Sequence, residues 1–359
     1  MKILYLYTEV MGYNLPIFEE LATTYGATVD VVHWNQNKLT PFIPKTSSSN
    51  IRFHERSGFS PVTLRQFALA LSPDLVYVSG WQDRGYMPAL KALKSSGAKI
   101  VMGLDSQWTG SVRQHVGAML IKWLYTPSHI DYAWVPGPMQ YAYASRIGFS
   151  KTEILCNLLS ANTALFAAAA SERRKTDSND YPKRFLYVGR FTESKGVDTL
   201  LCAFQIYKQQ LGGDWSLTCI GNGPLVDVLH TQAGVETLPF MSQPELAEQA
   251  KNAGAFILPS RYEPWGVVVH EFAAAGLPLI LSDQVGARPQ FLIERLNGFM
   301  FKHDSAQDLA RKMWLISSSA TRDLAKMGDI SQVMASVLTP SVVAASFMSA
   351  VNNLSQTDH

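Results

Sequence analysis

A chain of 359 residues that is 47% hydrophobic and 17% charged carries enough apolar surface for folded cores, and its length predicts two domains. Its 31 lysines and arginines against 29 aspartates and glutamates leave a net charge of +2. That balance excludes a dedicated nucleic-acid binder held by phosphate neutralisation. Three cysteines, Cys156, Cys202 and Cys219, are odd in number and lack metal-ligand spacing. They predict neither a disulfide framework nor a zinc site, and a reducing, cytoplasmic setting. The opening Ile3–Tyr7 run is too short for a signal-peptide core, and no unbroken run of about 18 apolar residues marks a membrane span. The charge is mildly uneven: residues 1–160 hold 14 basic and 10 acidic side chains, hence +4, and the remainder is −2.

In chain order, a strand is predicted over 2–8, then a turn at Gly12, a helix over 16–24 and a strand over 28–34. Residues 41–59 fit no period and predict an irregular loop or short edge strands. Strands over 73–79, 99–103 and 133–135 alternate with helices over 87–95 and 139–147. A break is predicted around 160–181, where the polar run 171–180 reads as a surface loop. The alternation then restarts, with strands over 184–188, 216–220, 255–258 and 278–282 and helices over 198–210, 243–251 and 266–275. Such alternation predicts parallel sheets covered by helices on both faces, twice over. The division is 1–160, 161–340 and a last helix in 341–359 that packs back on the first domain. Two open α/β domains in tandem are expected to turn their strand ends toward a central cleft, where ligands gather.

Two segments carry chemistry. In Val188-Gly189-Arg190-Phe191-Thr192-Glu193-Ser194-Lys195-Gly196, a strand ends in glycine and two cations stand five residues apart before a helix. Gly189 admits a ligand close to the backbone, Arg190 can fork onto phosphate oxygens, and Lys195 adds a mobile point charge beside helix amides. Solvated loop charges are the plainer reading of the same spacing. In Pro259-Ser260-Arg261-Tyr262-Glu263-Pro264-Trp265-Gly266-Val267-Val268-Val269-His270-Glu271, a strand end turns into a helix. Glu263 stands at the helix mouth, and Glu271 follows eight residues later, two turns along on a similar side. Glu271 lies among valines, phenylalanine and alanines, where a carboxylate needs a partner or a ligand. No Asp-x-Asp metal clamp occurs.

These residues together resemble retaining glycosyltransferases of family 4, which have the GT-B fold of two Rossmann-like domains. Gly189-Arg190 with Glu193-Ser194-Lys195-Gly196 is similar to the family's phosphate loop, and Glu263 and Glu271 to its two glutamates separated by seven residues. Ile220-Gly221-Asn222-Gly223-Pro224, Leu258-Pro259-Ser260, Ala275-Gly276-Leu277-Pro278 and Asn297-Gly298 follow in the family's order, and Asn162–Phe166 resembles its segment leading out of the first domain. The resemblance covers about 160–310. It implies transfer of a sugar from a nucleoside-diphosphate sugar to a hydroxyl of a saccharide, glycolipid or small-molecule acceptor, with retention and without a metal or other cofactor. Arg190 and Lys195 would hold the diphosphate, Glu271 the ribose hydroxyls, and Glu263 with the amides of Trp265, Gly266, Val267 and Val268 the donor sugar. Phe240 and Met241 would lie against the nucleobase.

Residues 1–150 depart from the family. Where members often have a glycine pair in the first strand–helix loop, only Gly12 stands, and it counts among the donor-binding residues. Where many have His-Asp after the strand over 99–103, the chain reads Leu104-Asp105-Ser106, so Asp105 alone is kept as a catalytic candidate, with loop capping as its plainer role. His115 falls on the polar side of the stretch Val112, Val116, Met119, Leu120, Trp123 and reads as a surface residue. Trp81 reads as packing. The same stretch, edged by Arg113 and Lys122, has the make-up of a peripheral membrane contact at the inner face of a membrane. An apolar helix stripe more often faces a core, and that is the expectation. Two rival functions share the motifs: a nucleotide-sugar epimerase, which needs no acceptor, and a non-catalytic nucleotide or saccharide binder, which has no need of a leaving-group site.

Overall fold

The computed structural model describes residues 1–124, 129–173 and 181–352 and divides into two compact units. The first unit comprises residues 1–37, 42–160 and 340–359, and the second 38–41 and 161–339.

In the first unit the elements are β1 (Lys2–Leu6), α1 (Leu15–Thr23), β2 (Thr28–His33), β3 (Ile51–Glu55), α2 (Pro61–Leu71), β4 (Leu75–Val78), α3 (Met87–Ser95), β5 (Lys99–Gly103), α4 (Val112–Leu124), β6 (Tyr132–Trp134), α5 (Pro138–Arg146) and β7 (Ile154–Leu155). All strands pair in parallel, in the order β3-β2-β1-β4-β5-β6-β7. The central strands are buried along nearly their whole length, which is why Ile3–Leu6 and Leu75–Val78 read as unbroken apolar runs. Within the irregular 41–59 stretch, β3 forms the sheet edge against β2. Helix α2 has no counterpart among the predicted elements, although Ser60 caps it and Pro61 opens it.

The apolar stripe of α4 is where expectation and structure part. Val112, Val116, Met119 and Leu120 are exposed, and the helix instead turns Ala118 into the core with Ile121 packed against it. Ala118 is thus the buried residue of the helix, and its bulkier neighbours Val116, Met119 and Leu120 are left outward. His115 is exposed, edge-on to Trp108 at 4.8 Å, as a surface residue. Trp81 packs against the core.

The second unit runs α6 (Thr163–Arg173), β8 (Arg184–Val188), α7 (Val197–Gln209), β9 (Ser216–Ile220), α8 (Val226–His230), β10 (Val235–Leu238), α9 (Gln243–Lys251), β11 (Ala255–Leu258), α10 (Val267–Ala274), β12 (Leu279–Ser282), α11 (Arg288–Phe291), β13 (Gly298–Phe301), α12 (Ala306–Ser317) and α13 (Thr321–Ser336). Its parallel sheet has the order β10-β9-β8-β11-β12-β13. Helix α6 corrects the predicted break: Ala167–Ala170 continue a helix that takes in Ser171–Arg173, since alanine is the strongest helix former. The rest of the predicted polar loop, 174–180, lies outside the described residues.

A last helix, α14 (Pro340–Asn352), returns to the first unit. The stretch 321–351 is long and apolar enough to pass for a membrane span by composition. It is two helices, however, broken before Pro340, and each buries its apolar side within its own unit. Phe347 is fully buried, stacked on Trp134 at 4.9 Å and close to Tyr5 at 5.3 Å. Phe347→Ala should therefore cost about 3–5 kcal/mol in urea unfolding. A loss below about 1 kcal/mol would show that α14 is not part of this core.

Candidate functional site

The candidate residues of the second unit cluster where β8, β9 and β11 end. After β8 the chain cannot continue as strand: the Gly189 amide bonds Ile220 O at 3.0 Å and the Phe191 amide bonds Asn222 O at 2.8 Å, fixing the loop against the end of β9. Tyr187 Oη donates to Arg190 O at 2.8 Å, and the Arg190 side chain is left exposed. A single 3-10 turn, Glu193–Lys195, leads to Gly196, which has φ of +67°. A Cβ there would lie 2.1 Å from Pro259 O, so only glycine lets the 189–196 loop close onto the end of β11.

That closure joins the two predicted segments. Lys195 Nζ meets Glu263 Oε2 at 2.5 Å, with both side chains largely buried. Ser260 Oγ donates to the same oxygen at 3.3 Å. Arg261 binds Asp198 through two 2.7 Å bonds, also contacts Asp304 and Glu193 O, and accepts no role in the motif spacing. It clamps the start of α7 to the loop after β11.

Glu263 and Glu271 do not share a helix face. Gly266, at φ +93°, separates them, and α10 begins only at Val267. Glu263 is held instead in a bridge to Val285, with its carbonyl accepting from the Gly286 amide at 3.0 Å. Glu271 rides α10 and is buried, and Gln243 Nε2 donates to its Oε1 at 2.6 Å. Burial pushes its carboxyl up to about 7, and the Gln243 bond partly opposes that shift. Gln243 opens α9, two residues after Met241, and Phe240 and Met241 are half-buried in that loop. Trp265 is buried and edge-on to Phe291 at 6.2 Å. Gly266, the residue before α10, has no side chain with which to cap the helix start, where Gly266, Val267 and Val268 bring their amides.

Gly12 and Asp105 belong to the first unit, at the carboxyl-terminal ends of β1 and β5. Asp105 is exposed, on the side of Tyr7, whose hydroxyl burial pushes up to about 12. Among the described residues, no group of three or more His, Cys, Asp and Glu side chains converges as a metal site.

Three residues that the motifs do not single out support the site: Gln243, Arg261 and His270. His270 is fully buried, accepts from the Ala161 amide at Nδ1 (3.0 Å) and donates from Nε2 to Ala335 O (3.0 Å). Burial lowers its pKa to about 4, which keeps the ring neutral and this pairing intact. Its position in the same apolar run as Glu271 is the signal that identifies it.

Residues 169–330 match the family "Glycosyl transferases group 1". Two relatives extend the likeness. An uncharacterized glycosyltransferase of Methanocaldococcus jannaschii is 32% identical over 35% of this chain and 33% of its own length. The amylovoran biosynthesis glycosyltransferase AmsK of Erwinia amylovora is 33% identical over 37% of this chain and 36% of its own. The chain thus matches about a third of the length of these curated relatives. Solved structures match throughout. HepE of Anabaena, in complex with UDP and glucose, superposes with a TM-score of 0.72 at 15% identity, covering 98% of this chain and 100% of HepE. A sucrose-phosphate synthase from Thermosynechococcus elongatus gives a TM-score of 0.74 at 20% identity over 99% of each chain. The fold is GT-B. Together the matches support a glycosyltransferase.

The buried Glu271 has a stability consequence. Its folded-state pKa of about 7 lies above the usual 4.5, so the folded state holds the proton more tightly, and the associated stability is lost as pH rises from 4.5 through 7. Glu271→Gln removes that loss, and between pH 5 and pH 8 it should gain about 2–3 kcal/mol over the wild type in urea unfolding. Identical pH dependence in both proteins would contradict an ionised, buried carboxylate.

Proposed function

We propose that the chain is a retaining, metal-independent glycosyltransferase that moves a sugar from a nucleoside-diphosphate sugar to a hydroxyl of a saccharide, glycolipid or small-molecule acceptor. One observation carries this: the 189–196 loop closes onto the end of β11 so that Lys195 and Glu263 meet just before α10, which bears the buried Glu271. A binder for a neutral saccharide has no use for a lysine held in this way beside a helix start at a strand end. A departing diphosphate does.

In the proposed reaction Glu271 accepts hydrogen bonds from the ribose diol, which takes over the partial satisfaction now given by Gln243. Phe240 and Met241 flank the base. Arg190 and Lys195 take the diphosphate, and Lys195, already held by Glu263, is positioned before the donor arrives. Glu263 and the amides of Trp265–Val268 face the sugar. As the bond from the anomeric carbon to the β-phosphate oxygen breaks, the two cations and the α10 amides stabilise the negative charge that grows on the phosphate. The acceptor hydroxyl attacks from the same face, its proton passes to the leaving phosphate, and the new glycosidic bond keeps the anomeric configuration. Asp105 and Gly12, in the first unit, are proposed to serve the acceptor and donor. The HepE structures contain UDP and UDP-glucose, which makes uridine diphosphate sugars the first donors to try.

Calorimetry with UDP-glucose, GDP-mannose and ADP-glucose tests the assignment. One of them should bind the wild type, and Glu271→Ala or Lys195→Ala should weaken that binding at least about tenfold. Because the ribose bond needs the carboxylate, affinity should also fall as pH drops below 7, by up to about tenfold per unit. Donor affinity untouched by both substitutions would rule out these roles. Chelator in the assay buffer should leave transfer unchanged.

A further inference from the structure

Helix α4 turns its apolar side outward. Val112, Val116, Met119 and Leu120, spaced as one stripe, are 81%, 48%, 61% and 52% exposed, while the opposite side carries Ala118 into the core. Exposed Arg113 and His115 flank the stripe on either side. Singly exposed apolar residues are ordinary, but four on one face of one helix form a patch that demands a partner. The neighbouring helix α3 lies on the same face of the sheet, since Ala89, Leu90, Leu93 and Ala118 share one core cluster. Beside α3 opens a pocket of about 320 Å³, walled by Trp81, Met87, Leu90 and Ile130 and edged by Arg84 and Lys91.

The charge of this region is one-sided. From Asp83 to Asp131 the sequence holds Arg84, Lys91, Lys94, Lys99, Arg113 and Lys122 against Asp83, Asp105 and Asp131, an excess of three positive charges. Lys94 and Lys99 are engaged by Asp131. Arg84, Lys91 and Arg113 form no ion pair among the described residues. The side chains of Lys122 and Trp123 lie outside the described ones.

We propose that this face of the first unit docks on the surface of an anionic phospholipid bilayer, with α4 lying in the interface plane. The stripe would enter the acyl boundary, Arg113 and Lys91 would meet headgroup phosphates, and the pocket beside α3 would take an acyl chain or headgroup edge. A second copy of the chain is a poorer occupant. An isologous contact through α4 would set Arg113 against its own equivalent, and the helix itself carries no acid to answer it. The docking is independent of the proposed reaction, because none of its residues belongs to the donor site.

Flotation of the full chain with vesicles tests it. Wild-type protein should float with phosphatidylcholine vesicles containing about a third phosphatidylglycerol, float poorly with phosphatidylcholine alone, and detach at high salt. Combining Val116→Ser, Met119→Ser and Leu120→Ser should lower the bound fraction about tenfold while leaving the thermal midpoint unchanged, since these side chains are exposed. Combining Arg84→Gln, Lys91→Gln and Arg113→Gln should abolish the preference for anionic vesicles. Absence of flotation, or flotation unchanged in both variants, would overturn the proposal. So would a wild-type dimer in solution that the serine variant converts to monomer, which would assign the stripe to a second copy.

Discussion

The contact between Lys195 and Glu263 is the one on which the geometry of the candidate site depends. It joins the loop after β8 to the loop after β11, two segments far apart in sequence, at a largely buried point where an unpaired charge would be costly. The approach is possible only because Gly196 adopts a left-handed conformation beneath the Pro259 carbonyl. Arg261 then clamps the outside of the same junction to Asp198, so the lysine, the glutamate and the helix that follows are held before any ligand arrives. Side chains on a pre-set loop lose little entropy when a ligand binds, which suits the role proposed for them.

Glu271 and His270 show the same economy with opposite signs. They are adjacent on α10 and both buried, yet burial raises the pKa of one and lowers that of the other. The histidine stays neutral and knits the backbone at Ala161 to that at Ala335 within the second unit. The glutamate accepts a bond from Gln243, the one that the proposed ribose diol would take over. A carboxylate kept near neutrality by burial is poorly placed for stability and well placed to gain from hydroxyl donors.

Much of this was legible in the residues. Fully buried parallel strands such as Arg184–Val188 and Ala255–Leu258 announce themselves as apolar runs bounded by glycine or proline, and their bounds match. The cations Arg190 and Lys195 and the carboxylates Glu263 and Glu271 stand at fixed spacings around those strand ends. What spacing could not give is three-dimensional: Glu263 is four residues ahead of α10 because Gly266 breaks the path, so the expectation that both glutamates share a helix side fails. Gln243 and Arg261 act across the fold, through partners 28 and 63 residues away. The stripe of α4 failed for another reason. Period alone marks an apolar face without saying which way it looks, and Ala118 and Ile121 proved to be the inward side. Helix α2 has a start signal in Ser60-Pro61, but the stretch before it has no period, so no strand–helix alternation leads into it.

The central claim, that the second unit is built around a nucleoside-diphosphate sugar, is tested most directly by the thermal midpoint of the wild-type chain titrated with UDP-, GDP- and ADP-sugars. A ligand that binds only the folded state raises stability by about 2.7 kcal/mol at a hundred times its dissociation constant. One nucleotide sugar should raise the midpoint in a saturable way, and the free sugar should not. A midpoint that no nucleotide sugar moves would contradict the account.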